Sequence, residues 1–392
     1  MRDTQPIHAR VILAGGVTGG HIMPGLALRE ALLRKAAGID VQFMGRGGPF
    51  ENALVSAAGA SITRVRCLPS PKKFWGWPTF AYENVRGYLE ARQYLGNARA
   101  TAVVGLGGYA SAPAARAAID LGIPLVLLEQ NATHGRVTRW LARRAVVVCA
   151  SFANADSPAP RQGNLVRTGT PIRPIERSRR KLPFRRPLLL VLGGSGGSSS
   201  LNQLTLNAAK DLPSDAIRPW RIVHQSGERD RAWVARAYRE LGLTAQVRPF
   251  VRRLDRLLPM ADLVISRAGG TTSAELAAAG VATVFVPWRG SADDHQFANA
   301  SALARAGAAL VVDESKLDAT CQLSRAIEEL IDSAHRREAL AQAIGRLARP
   351  DAADRVAEIV LRVLGGAPSV NVIGPARETT PPRPRRKRLC RV

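Results

Sequence analysis

Short apolar runs recur along the chain, each closed by glycine, proline or polar turn residues. The first is Arg10-Val-Ile-Leu-Ala14, followed by Gly15-Gly-Val-Thr-Gly-Gly20 and a helical stretch from Pro24 to Leu33. The pattern returns in the second half as Pro187-Leu-Leu-Leu-Val-Leu192, then Gly193-Gly-Ser-Gly-Gly197, then a helix over Ser198 to Lys210. Further runs are Ala102–Val104, Pro124–Leu128, Ala145–Cys149, Leu263–Ile265 and Thr283–Val286. They are continuously apolar rather than alternating, as in parallel strands covered on both faces. Strand, glycine turn and helix in each half predict an α/β protein with two Rossmann-like parallel-sheet domains.

The expected division is an N-terminal domain over 7–169, a linker over 170–187 rich in proline and arginine, and a C-terminal domain over 188–349. A last amphipathic helix is expected within 350–365, from Ala352 to Leu364, and a basic disordered tail over 366–392. At 392 residues and 46% hydrophobic, the chain can bury a sizeable core, which excludes wholesale disorder. No apolar run approaches the roughly 20 residues of a membrane-spanning helix. The apolar run near the start is too short for a signal-peptide core, so a cytoplasmic location is expected. Cys67, Cys149, Cys321 and Cys390 form no C-x-x-C pair and support neither a disulfide framework nor a zinc site. The formal charge is +25, most of it in the body rather than the tail, and such a surface attracts phosphate groups.

The glycine turns carry the candidate chemistry. A helix that starts on a glycine turn offers free N–H groups and a positive dipole end to phosphate. Neither turn fits G-x-G-x-x-G, and no G-K-[ST] follows, which disfavours a nicotinamide or flavin oxidoreductase and a P-loop enzyme. Thr18 and His21 flank the first turn, where an imidazole is suited to removing a sugar hydroxyl proton. A third turn spans Ile265 to Glu275. There Thr272-x-x-Glu275 matches a capping box, and Glu275 is alternatively placed to accept ribose hydroxyls. Asp293 to Asn299 puts His295, Gln296 and Asn299 on one opening helical turn, side chains suited to reading sugar hydroxyls.

In this order and spacing, the segments resemble the MurG family of glycosyltransferases over about residues 10–360. The residues carrying the resemblance are Gly15-Gly-Val-Thr-Gly-Gly-His-Ile-Met-Pro24, Gly105-Leu-Gly-Gly-Tyr-Ala-Ser-Ala-Pro113, Glu129-Gln-Asn131 and Gly169-Thr-Pro-Ile-Arg173. They continue with Gly193-Gly-Ser195, His224-Gln-Ser-Gly227, Arg267 to Glu275, His295-Gln296 and Asn299. The resemblance implies a GT-B architecture, with two lobes facing a cleft and a final helix crossing back to the first. It implies inverting transfer of GlcNAc from UDP-GlcNAc to the MurNAc 4-hydroxyl of undecaprenyl-diphosphate-MurNAc-pentapeptide (lipid I), giving lipid II for peptidoglycan.

By that resemblance Arg173, Ser195 and Gly270-Thr271-Thr272 hold the donor diphosphate, and Val251 reads uracil through its backbone. Glu275 accepts the ribose, and His295 and Gln296 contact the donor sugar. Thr18, Gly19, Gly20, Tyr109 and Asn131 face the acceptor. His21 is the candidate base, with Glu129 as the alternative. No metal or other cofactor is expected, because no Asp-x-Asp motif occurs and arginine with helix N-termini can stabilise the leaving diphosphate. The sequence departs from the family at Val17 (for glycine), Leu128 (for histidine), Thr170 (for asparagine), Gly196 (for glutamine) and Ala282 (for proline).

A lipid-linked acceptor requires contact with a membrane. Lys72, Lys73, Phe74, Trp75, Trp77, Phe80 and Tyr82 cluster in a proline-rich stretch expected to be a loop, whereas aromatics make up only 5% of the chain. Aromatic rings at headgroup level with lysines on anionic lipid would dock the protein at the inner leaflet of the cytoplasmic membrane. Arg136, Arg139, Trp140, Arg143 and Arg144 extend that surface, and other cell-wall synthesis proteins are possible partners. The other readings are a GT-B enzyme acting on another lipid, such as diacylglycerol, and a basic nucleic-acid-binding protein. The latter has no recognisable DNA- or RNA-binding motif, and no nucleic-acid partner is expected.

Overall fold

The computed structural model describes residues 9–152, 164–176 and 186–366. The middle of the expected linker and the basic tail beyond residue 366 lie outside the described residues.

The N-terminal strands are β1 (Arg10–Ala14), β2 (Asp40–Gly45), β3 (Ile62–Arg64), β4 (Ala102–Gly105), β5 (Leu125–Glu129), β6 (Val147–Ala150) and β7 (Leu165–Arg167). They form one sheet in the order β3-β2-β1-β4-β5-β6-β7. The C-terminal strands are β8 (Leu188–Leu192), β9 (Arg221–Gln225), β10 (Ala245–Arg248), β11 (Leu263–Ser266), β12 (Ala282–Phe285) and β13 (Leu310–Val311), ordered β10-β9-β8-β11-β12-β13. Every pairing is parallel.

The two sheets share one winding, which reverses between β1 and β4 in the first and between β8 and β11 in the second. Ligands bind beyond the carboxyl ends of the strands at such switch points. The turns after β1, β4, β8 and β11 all emerge there, and they are the glycine motifs of the sequence.

Covered strands send alternate side chains to opposite cores. Val11 and Leu13 enter one buried cluster, and Ile12 and Ala14 the other. In the second lobe Leu189 and Val191 face one cluster, whereas Leu188, Leu190 and Leu192 face the other.

The Ala352–Leu364 helix follows the C-terminal lobe in sequence but packs on the N-terminal one. Val356, Val360 and Val363 are buried with Leu28 and Leu32, and Arg34–Asp354 and Lys35–Glu358 pair at the rim. Each fully buried aliphatic side chain contributes about 1.5–3 kcal/mol. The two passages of chain between the lobes touch one another. A Cβ on Gly169 would stand 2.6 Å from that of Arg349 and 3.1 Å from that of Ala352.

Three local expectations are corrected. The first helix runs from Gly19 to Lys35, so Pro24 lies inside it rather than at its start. The aromatic stretch is not a loop: a 3-10 turn, Phe74–Gly76, leads into a helix from Trp77 to Asn97 whose second position is Pro78. Thr272 caps nothing, because the helix over Gly270–Ala279 has its N-cap at Gly269, which places Glu275 in its second turn.

Candidate functional site

Two open clefts, of ≈ 1670 Å³ and ≈ 1520 Å³, meet between the lobes. Thr18, His21, Gln130, Asn131 and His295 line both, so they mark the junction. The first cleft belongs mainly to the N-terminal lobe and also holds Tyr109, Glu129 and His134. The second runs along the C-terminal glycine turns and holds Gly20, Ser195, Gly270, Thr271, Thr272 and Gln296. A smaller pocket, with Gly19 and Gly20 at its lip, opens beside it and is lined by Arg173, Phe250, Val251, Asp255 and Glu275. The structure thus brings every expected donor and acceptor residue to one connected space.

His21 sits in the first turn of its helix, with Nδ1 3.0 Å from Thr18 Oγ1. Its ring lies on the backbone of Gly107 and Gly108, where a Cβ on either residue would stand 3.1 Å from a ring carbon. Both glycines also have positive φ, which explains the double glycine in the turn after β4. Desolvation, with His295 adding to it and a hydrogen bond to Gly16 opposing, lowers the His21 pKa to about 4. The ring is therefore neutral at pH 7 and carries a lone pair.

Glu129 is differently placed. Its Oε1 accepts from the backbone and side-chain nitrogens of Asn131, and its Oε2 accepts from Gly135 N at 2.8 Å. Both carboxylate oxygens are engaged in shaping the 131–135 loop.

The first glycine turn has a support that sequence reasoning missed. Glu51, 1% exposed, accepts from Val17 N at 2.7 Å and from Gly48 N at 2.8 Å. A Cβ on Gly16 would stand 2.1 Å from its Oε1. The available signal was Gly48-Pro49-x-Glu51, a helix start whose third position reaches back to the cap. Val17 has φ +71°, a region costly for a β-branched residue, which explains why glycine suits that position.

In the C-terminal lobe Gln225, also missed, ties two segments. It donates to Gly194 O at 2.6 Å and accepts from Val251 N at 2.9 Å. The Val251 N–H is therefore engaged within the protein. Glu275 lines the smaller pocket, where desolvation and then Asp255 raise its pKa to about 7, with Arg173 opposing. Gln296 accepts from Trp288 N at 3.1 Å.

Contacts across the cleft hold the lobes together. Gly19 N donates to Ser195 Oγ at 3.3 Å, and Thr271 Oγ1 donates to Gly20 O at 2.6 Å. Asn299 accepts from Ala132 N at 2.7 Å and donates to Asn131 Oδ1 at 3.1 Å. Gly270 packs so tightly on the other lobe that a Cβ would meet Gln130 O at 2.2 Å.

Most of the aromatic cluster is exposed: Phe74 79%, Trp75 62%, Trp77 52% and Tyr82 56%, with Lys72 and Lys73 also on the surface. Phe80 departs from expectation. It is half-buried, packs edge-on against Trp77 and lines the N-terminal cleft. Arg136 and Arg139, expected to extend that surface, pair with Asp293 across the cleft. Among the described residues no helix is long and apolar enough to cross a membrane.

Of the other departures from the family pattern, Leu128 is buried in the N-terminal core, Gly196 has open space where a Cβ would be, and Ala282 is buried in β12. Thr170 Oγ1 lies 2.5 Å from Ser151 Oγ.

The N-terminal domain model of glycosyltransferase family 28 matches residues 11–149, and its C-terminal domain model matches residues 188–356. The chain is 37% identical over 362 residues to the UDP-N-acetylglucosamine--N-acetylmuramyl-(pentapeptide) pyrophosphoryl-undecaprenol N-acetylglucosamine transferase of Stutzerimonas stutzeri, covering 91% of this chain and 99% of that one. The same-named protein of Pseudomonas putida (strain W619) is 37% identical over 361 residues, covering 91% and 98%. The crystal structure of Acinetobacter baumannii MurG superposes with a TM-score of 0.69 at 30% identity, covering 90% of this chain and 99% of that one.

Proposed function

The chain belongs to glycosyltransferase family 28 and within it to the MurG enzymes, and we propose that it carries out their reaction at the junction of the two clefts. It is a UDP-GlcNAc-dependent glycosyltransferase that moves N-acetylglucosamine to the N-acetylmuramyl-pentapeptide carried on undecaprenyl diphosphate. The observation that supports the proposed site best is the shared lining: His21 and His295 border the acceptor cleft and the donor cleft at once.

In this reading UDP lies along the C-terminal turns. The nucleoside enters the pocket of Val251 and Glu275, and the diphosphate lies over the start of the Gly270–Ala279 helix near Arg173 and Ser195. The helix N-terminus and the guanidinium supply the positive charge that the leaving diphosphate needs as the glycosidic bond breaks. The acceptor enters the N-terminal cleft and presents its 4-hydroxyl to the anomeric carbon from the face opposite the diphosphate. Attack from that side inverts the configuration. His21, held by Thr18 through Nδ1, takes the hydroxyl proton on Nε2 as the new bond forms. A positioned base of this kind contributes roughly 10²–10⁴-fold. No metal ion is needed in this scheme.

Phe74, Trp75 and Trp77 with Lys72 and Lys73 dock the N-terminal lobe on the anionic cytoplasmic face of the membrane, where the acceptor's lipid tail resides. Phe80 continues the apolar surface into the acceptor cleft.

The test is synthesis of lipid II by the purified protein from lipid I and radiolabelled UDP-GlcNAc, with and without EDTA, alongside diacylglycerol as a competing acceptor. Product from lipid I at a rate unaffected by EDTA is expected. Transfer to diacylglycerol alone, or loss of activity with the chelator, would overturn the acceptor or the metal-free scheme respectively.

A further inference from the structure

We propose that His134, which lines the N-terminal cleft and whose Nε2 has no partner among the described residues, is an acceptor-binding residue whose ring turns out of the wall to hydrogen-bond a polar group of the lipid-linked sugar-peptide. The inference rests on that cleft receiving the acceptor.

His134 is 2% exposed, and its Nε2 is buried with no hydrogen-bond partner among the described residues. Buried polar groups are almost always paired, and an exception calls for an explanation. Four other buried side-chain atoms share this state, on Arg29, Asn164, Thr205 and Ser273, and none of those residues lines the acceptor cleft. His134 does.

Its surroundings make the placement expensive and deliberate. The cleft it lines also carries apolar side chains, among them Leu68, Pro69, Phe80, Val137 and Trp140. In such a wall a few fixed polar atoms set the orientation of a ligand. The backbone around His134 is over-determined: Glu129 binds the N–H groups of Asn131 and Gly135, and Asn299 of the other lobe binds that of Ala132. The loop backbone is therefore held, and the ring itself is what is left to turn. Desolvation lowers the pKa of His134, with Glu129 opposing and Arg139 adding to the lowering, so the ring is neutral and carries one donor and one acceptor. A neutral donor–acceptor pair fits a sugar hydroxyl or a peptide amide, the groups an N-acetylmuramyl-pentapeptide presents. Because Asn299 contacts the same loop, the residue is set in place when the lobes are together.

A group kept unpaired for a ligand should be dispensable for folding. His134→Leu fills the space with an apolar side chain and removes the unpaired atom, whereas His134→Gln keeps a donor and an acceptor. The expected results are a melting temperature for His134→Leu equal to or above that of the parent and unchanged UDP binding by calorimetry. The KM for lipid I should rise about tenfold, the value of one good hydrogen bond, with kcat within about threefold. His134→Gln should recover most of the acceptor affinity. An unchanged KM for lipid I in both variants overturns the inference, as does a lowered melting temperature in His134→Leu with no recovery in His134→Gln. A parent enzyme inert toward lipid I would instead overturn the acceptor assignment itself, so the two failures are distinguishable.

Discussion

Thr271 donates its hydroxyl proton to the carbonyl of Gly20 at 2.6 Å, joining the start of a helix in one lobe to the start of a helix in the other. That carbonyl is free because the residue four positions later is Pro24, which has no N–H to return to it. A proline inside a helix thus creates the acceptor that the opposite lobe fills. Thr271→Val should leave the Gly20 carbonyl without this partner, at a cost of about 1 kcal/mol. We expect a several-fold loss in kcat/KM for UDP-GlcNAc with little change in melting temperature, measured by steady-state kinetics and calorimetry.

Glu275 gives a signed pH dependence. Its pKa rises from 4.5 to about 7 on folding, so below pH 4.5 it is protonated in both states and carries no penalty. Between about pH 4.5 and 7 the unfolded chain loses this proton first, and the fold loses stability relative to Glu275→Gln. The gap approaches 2–3 kcal/mol above pH 7, since one pKa unit is about 1.4 kcal/mol and solvent access reduces the full value. If the ionised carboxylate accepts the ribose hydroxyls, UDP affinity should also strengthen as pH rises through 7. Calorimetric titration from pH 5.5 to 8.5 should show that slope in the parent and a flat profile in Glu275→Gln.

His21→Ala should lower kcat by roughly 10²–10⁴-fold while UDP affinity stays within about twofold. With the folded pKa at about 4, the acid limb of the rate profile should fall near pH 4 rather than near the ordinary 6.5. The stability linkage runs the opposite way to that of Glu275. As pH falls from 6.5 to 4 the unfolded state takes up this proton first, so stability drops, and the drop should be shallower in His21→Ala. Full turnover in His21→Ala would remove the base assignment.

Val17→Gly should stabilise the protein. A β-branched residue at φ +71° carries about 1–2 kcal/mol of conformational cost, which exceeds the extra unfolded-state freedom of glycine. A net gain of about 0.5–1 kcal/mol in denaturant unfolding is expected. Glu51→Ala should do the reverse by leaving the N–H groups of Val17 and Gly48 without their partner.

Trp75→Glu combined with Phe74→Glu should abolish sedimentation with vesicles of anionic phospholipid and leave turnover of a water-soluble short-chain acceptor intact. Binding by the parent should weaken with salt, since Lys72 and Lys73 each add about 1 kcal/mol near an anionic surface.

Much of this molecule is legible in its residues because the signals are local. Continuous apolar runs such as Leu188–Leu192 mark covered parallel strands, and the glycine turns after β1, β8 and β11 mark where helices begin. What escaped depends on distant parts of the chain meeting. Nothing near Pro24 says that Thr271 will fill the carbonyl it leaves free, and nothing near Asn131 says that Asn299 will reach its loop. Thr272-x-x-Glu275 reads as a cap because the motif is short, yet the helix starts earlier, at the glycine that must lie flat against Gln130. Phe80 reads as one more membrane aromatic until the helix from Trp77 turns it inward. His134 had no motif at all; only its burial without a partner distinguishes it.

The contact of Gly169 with Arg349 and Ala352 bears on how the enzyme moves. Two bodies joined by widely separated straps would be locked, and two joined by one loose strap would tumble. Here both straps leave from a single spot. Any opening between the lobes would turn about that spot and would have to part Arg136 and Arg139 from Asp293. A bulky residue at 169 would jam the pivot while leaving each lobe's own interior untouched.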